Sequence, residues 1–111
     1  ERDEVNAMAL SRDFKETIKE RALNDPDFRI GLLTEAAECL LNDDIDVAKM
    51  LLRDYVNATI GFQALARLTD RKPESLMRML SAKGNPSLRN ISKVMASLRR
   101  HEGVELHVIA S

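Results

Sequence analysis

Tryptophan is absent from the 111-residue chain, tyrosine occurs once, and aromatic residues make up only 4% of it. Leu, Ala and Met supply most of the apolar mass instead, a composition that favours packed helices over a sandwich or barrel. The single cysteine, Cys39, excludes an internal disulfide, and its apolar helical setting reads as a structural thiol rather than a nucleophile. No apolar run approaches the ~20 residues that span a bilayer, and the charged N-terminus has no signal-peptide core, so a cytoplasmic protein without membrane insertion is expected. A phosphate-binding glycine loop, a nucleophile elbow and paired carboxylates in a recognisable frame are all missing, which argues against an enzyme, and no cofactor or small-molecule ligand is expected. His101 and His107 have no Cys or His partner at ligand spacing. Asp43, Asp44 and Asp46 lack the glycine and distant glutamate of a calcium loop, and helix capping explains them, so no metal is expected.

What is present is charge, unevenly placed. Residues 1–60 hold eight Lys/Arg against fourteen Asp/Glu, net −6, whereas residues 61–102 hold nine against three, net +6. A basic half suits a polyanion and an acidic half either a basic partner or plain solvation.

Residues 1–10 show no periodicity and read as a loose arm. Ser11 is expected to cap a short helix carrying Asp13 in its first turn, with Phe14, Ile18 and Ala22 on one face and an end near Asn24. Asp25-Pro26 restarts the chain, and Phe28, Leu32, Leu33, Ala36, Ala37, Leu40 and Leu41 recur at helical spacing. Asp44 opens a third helix that buries Ala48, Leu51, Leu52, Tyr55 and Val56. Asn85-Pro86 repeats the cap-and-proline device ahead of a last helix with Leu88, Ile91, Val94, Met95 and Leu98 inside, closed by Gly103 as a left-handed cap. Beyond it the period becomes alternating, with Val104, Leu106 and Val108 on one side, which reads as a short C-terminal strand and tail over 104–111. Such a strand needs a partner, either a second copy or another protein's sheet edge, unless the strand reading itself fails. Residues 11–103 are expected to form a single helical domain.

Residues 61–82 carry the spacing of a helix-turn-helix. Leu65 and Ala66 lie mid-helix, Asp70 falls at the turn, Pro73 opens a second helix, and Leu76 and Leu80 face back toward the first. Asp70 stands where a turn glycine is usual, and aspartate tolerates left-handed angles better than most residues. A second helix over Pro73 to Ser81 exposes Pro73, Glu74, Ser75, Met77, Arg78 and Ser81 for contact with DNA. Arg78 is the expected base reader, its planar fork matching guanine O6 and N7. Glu74 either accepts from cytosine N4 or complements the helix dipole. Lys72, Lys83 and Arg89 are expected phosphate anchors, joined by Gln63 at the start of the preceding helix. Dimeric binding would engage two half-sites, with Val104, Leu106 and Val108 pairing across a two-fold axis.

Leu65-Ala66, Leu76, Met79 and Asn85-Pro86 resemble, without a gap, the corresponding positions of the phage-repressor (xenobiotic-response-element) family. That likeness implies an all-α, lambda-repressor-like helix-turn-helix bundle, here with N-terminal helices added and the short strand at its end. A narrower resemblance spans Ala9 to Val108 through SRDFKETI, LLRDYVNATIGFQALA, KPESLMRMLSAKGNPS and GVELHV. These stretches are similar to the probable addiction-module antidote proteins, the HigA-like antitoxins. The resemblance implies a homodimeric repressor of double-stranded operator DNA that autoregulates its operon and neutralises a RelE-like toxin. The acidic helices offer Asp13, Glu16, Glu20, Asp27, Glu35 and Glu38 to such a basic partner. Two other readings stand beside it: a module whose main work is sequestering a basic protein, and a phage-type repressor with no toxin.

Overall fold

The protein, a computed structural model, is described over residues 16–111, and no strand occurs among them. The helices are α1 (described over 16–24), α2 (Pro26–Leu41), α3 (Ile45–Ala58), α4 (Gly61–Thr69), α5 (Pro73–Met79) and α6 (Leu88–Glu102). The all-α expectation holds. The expected arm over 1–10, the Ser11 cap, Asp13 and Phe14 lie outside the described residues.

Local chemistry sets most of the boundaries. Asp25 Oδ1 accepts the Phe28 amide at 3.2 Å and Pro26 occupies the first turn of α2, where a missing N–H costs nothing. Asp44 takes the cap position of α3, but without a side-chain hydrogen bond to the first turn. Gly61 adopts φ +79°, a value that L-residues avoid, and so lets α4 leave α3 after only two intervening residues. Gly103 ends α6 in the left-handed region, its N–H donating to Arg99 O and Arg100 O.

α3 is the central element. It packs along α2 and against α4, while α6 reaches both α2 and α4. Its Ala48 is fully buried, and its Leu52, Tyr55 and Val56, also fully buried, join Leu33 and Ala36 of α2, Leu65 of α4, Leu76 of α5, Leu80 and the α6 residues Ile91, Val94 and Leu98 in one core. At roughly 1.5–3 kcal/mol for each large side chain buried, this cluster is the main favourable term holding the helices together.

Several expectations are corrected. α6 begins at Leu88 rather than at Asn85-Pro86, because Ser87 Oγ accepts the Asn90 amide at 3.1 Å and supplies the cap. Leu88 therefore lies in the first turn, ahead of the buried stripe, and is 83% exposed. Leu41 closes α2 on its outer side and is also mostly exposed. α5 stops at Met79, with Leu80 as its cap, so Ser81 is outside the helix. The expected strand over Val104, Leu106 and Val108 forms no ladder within the chain. Val104 instead donates its N–H to Arg99 O and accepts from Arg99 Nη1, and Leu106 leans on the core while Val108 is exposed.

Candidate nucleic-acid interface

α4 and α5 are two short helices joined by residues 70–72. Asp70 adopts φ 53° and ψ 47°, and both its N–H and that of Arg71 donate to Ala66 O, which turns the chain sharply at the end of α4. Thr69 Oγ donates to Leu65 O at 2.8 Å and caps the same end. Lys72 is extended, as a residue before proline must be, and Pro73 starts α5. Leu76, Met79 and Leu80 turn inward onto the core, and Leu65 and Ala66 meet them from α4. What remains outward on α5 is Glu74, Ser75, Met77 and Arg78, with Pro73 partly exposed.

The other expected contact residues are exposed as well: Gln63 in the first turn of α4, Lys72 before α5, Lys83 in the following loop and Arg89 in the first turn of α6. Ser81 is only partly exposed, and its hydroxyl donates to Arg78 O at 2.7 Å, so it finishes the helix end instead of projecting from it. A difference between the halves of the chain is chemical as well as numerical. Arg21, Arg29, Lys49 and Arg53 hold carboxylates or carbonyls of the fold, as does Arg99 in the second half, while Lys19 has no partner among the described residues. Arg67, Arg71, Lys72, Arg78, Lys83, Arg89, Lys93 and Arg100 have side chains with no hydrogen-bond or ion-pair partner among the described residues. Of these, Arg71 is partly buried in the turn, and its Nε is shielded from solvent without an acceptor.

Sequence reasoning missed the residues beneath this surface. Lys49 of α3 is 3% exposed, and its Nζ donates to Ala82 O at 3.2 Å and Gly84 O at 2.6 Å. Arg53 Nη1 donates to Leu80 O at 2.9 Å. A signal did exist, because Lys49 falls on the stripe of Ile45, Leu52 and Val56, where a charge is out of place unless something receives it. Gly84 lies against the end of α5, and a Cβ there would collide with the carbonyl oxygens of Arg78 and Met79.

On the opposite chemistry, Glu16, Glu20, Asp27, Glu35 and Glu38 are exposed on α1 and α2 and pair with no cation among the described residues. Cys39, partly buried on α2, has its thiol pKa pushed up by burial and then by the nearby carboxylates of Asp44, Glu35 and Glu38, which keeps it protonated and a poor nucleophile. A cleft of about 340 Å³ is lined by Ala22, Leu23, Arg29, Thr59, His101 and Glu102, none of them on α4 or α5. Its two charged residues, Arg29 and Glu102, are already paired at 3.0 Å. No helix among the described residues is long and apolar enough to cross a membrane. Compared with protein-family models, curated proteins and solved structures, the chain matches none.

Proposed function

We propose that the protein binds double-stranded operator DNA as a homodimer, with α4 and α5 acting as a helix-turn-helix and α5 lying in the major groove. The observation that carries this reading is the set of eight cations, Arg67, Arg71, Lys72, Arg78, Lys83, Arg89, Lys93 and Arg100, without partners among the described residues, which shares one half of the chain with a helix pair joined by a tight turn. Arg78 reads a guanine, Glu74, Ser75 and Met77 face neighbouring bases, and Lys72, Lys83 and Arg89 hold phosphates with help from Gln63. Dimerisation runs through the tail, where the exposed Val108, with Val104 and the outer side of Leu106, whose inner side stays on the core, faces a two-fold copy and the backbone of 105–109 completes a ladder.

The exposed carboxylates of α1 and α2 support a second role for the same molecule, as the antitoxin of a toxin–antitoxin pair that represses its own operon. A ribosome-dependent RNase of the RelE-like kind attracts RNA and so presents a basic face, which an acidic helical surface steers toward and covers.

Selection on randomised duplexes tests the DNA reading. The expected outcome is an enriched palindrome whose affinity falls with log salt at a slope of about −0.9 for each phosphate held. Arg78→Ala should relax preference at one base pair, and Lys83→Ala should weaken all sequences alike. The absence of any enriched palindrome would refute the sequence-specific form of the proposal.

A further inference from the structure

A buried lysine among apolar neighbours calls for an explanation, because an ammonium group costs several kcal/mol to take out of water unless its donors are received. Lys49 has one carboxylate nearby, Asp46 at 3.4 Å, but that side chain is 88% exposed and its charge is screened by solvent. The groups that receive Lys49 inside the fold are the carbonyls of Ala82 and Gly84, on either side of Lys83. One turn further along α3, Arg53 donates to the carbonyl of Leu80, the cap residue of α5. Two cations of one helix therefore draw three carbonyls of the segment 80–84 toward α3.

We infer that Lys49 and Arg53 are positioning residues for the nucleic-acid interface, which set the loop carrying Lys83 and the end of α5 carrying Arg78 without touching DNA themselves. This rests on the DNA-binding reading given above. Carbonyl oxygens carry partial negative charge, and beside a phosphate they would oppose it. Turned toward α3 they leave the exposed, unpartnered ammonium of Lys83 as the outward charge of the loop. Gly84 makes the coupling mechanical. A Cβ built at this position would collide with the carbonyl oxygens of Arg78 and Met79, so the loop packs directly against the helix end and a shift of one toward the other moves both. A methionine at position 49 would fill the space with no charge to bury, so packing alone does not account for the lysine.

A double-mutant cycle decides the matter. Lys49→Met, Lys83→Ala and the double variant are titrated with the duplex enriched from the random pool, and amide hydrogen exchange at residues 83–85 is followed in the free full-length chain. Each single variant is expected to bind on the order of tenfold more weakly, and the double variant little worse than either, because Lys83 loses its value once its loop is unclamped. The amides of 83–85 exchange faster in Lys49→Met. Arg53→Met, made at a partly exposed side chain, serves if Lys49→Met does not fold, and is expected to show the same non-additivity with Lys83→Ala in smaller measure. Strictly additive losses, or wild-type affinity in both the Lys49 and the Arg53 variants, overturn the positioning role while leaving DNA binding intact. A wild-type chain that enriches no duplex overturns the DNA reading itself, and the inference with it.

Discussion

Tyr55, in the third turn of α3, donates its hydroxyl proton to Glu102 Oε1 in the last turn of α6 at 2.5 Å, while Arg29 Nε of α2 donates to both oxygens of the same carboxylate at 3.0 Å. One carboxylate thereby ties three helices. A negative charge at a helix C-terminus is unfavourable against the dipole, and Arg29 offsets it. Arg29 Nη1 also donates to Ala22 O, so the end of α1 is held through the same group.

This tie makes the only tyrosine of the chain a spectroscopic reporter. Burial first, then the hydrogen bond and charge of Glu102, raise the Tyr55 pKa well above its ordinary value near 10, against a smaller lowering by Arg29. Because the folded-state value is the higher one, this contribution to stability is fully present below about pH 10 and is lost as pH rises beyond it. Near-ultraviolet titration is expected to show no phenolate at pH values where free tyrosine ionises, and its appearance should coincide with loss of the helical circular dichroism signal. Tyr55→Phe is expected to cost about 1 kcal/mol in urea unfolding, since Glu102 keeps Arg29. Normal tyrosine titration in the folded chain would refute the tie.

Gly84→Ala is expected to lower stability by about 1–3 kcal/mol, because the added methyl meets backbone oxygens that cannot rotate away. Thermal unfolding measures it. Duplex affinity is expected to fall with the displaced loop, whereas Gly31→Ala, at a helix position where a Cβ meets open space, should raise stability slightly.

Asp70 holds the turn at φ 53° with a side chain attached. Replacement by glycine relieves that cost at some expense in unfolded-chain entropy, so a change within about 1 kcal/mol is expected. Asp70→Val should lose more, on the order of 1–2 kcal/mol, because a β-branched residue resists left-handed angles. Equal stability of the valine variant in chemical denaturation would show that the turn had taken another conformation.

The tail is tested by sedimentation. Truncation after Gly103 is expected to give a monomer at micromolar concentration, and so is Val108→Lys, which leaves Leu106 on the core because Val108 is itself 78% exposed. Dimers in both variants would move the interface to another surface, with α6 the first to examine.

If the proposed antitoxin role holds, reversal of Glu16, Glu20, Glu35 and Glu38 to Lys is expected to abolish relief of growth arrest when the chain is co-expressed with a basic RelE-like toxin, and to remove the salt dependence of their complex. DNA binding should persist. A complex unaffected by the reversal would place the partner elsewhere.

The helices and most of their ends could be read from the chain alone, because they rest on interactions between near neighbours: Asp25 with Phe28, Pro73 in a first turn, Gly103 as a left-handed cap. The inward faces of α3 and α5 followed from spacing, since a helix turned by packing must place Leu52, Tyr55, Leu76 and Leu80 together. At the start of α6 the sequence pattern points to Asn85-Pro86, and only the folded chain shows Ser87 as the cap. The loop ahead of α6 is held by Lys49, 35 residues away from Gly84 in sequence. Tyr55 and Glu102, 47 residues apart, are likewise joined only by the packing of α3 against its neighbours. Charge and spacing in the sequence therefore determine which residues are available for a partner. The orientation of the Lys83 loop and of the end of α5 depends on long-range hydrogen bonds, which form only when the core has brought the helices together.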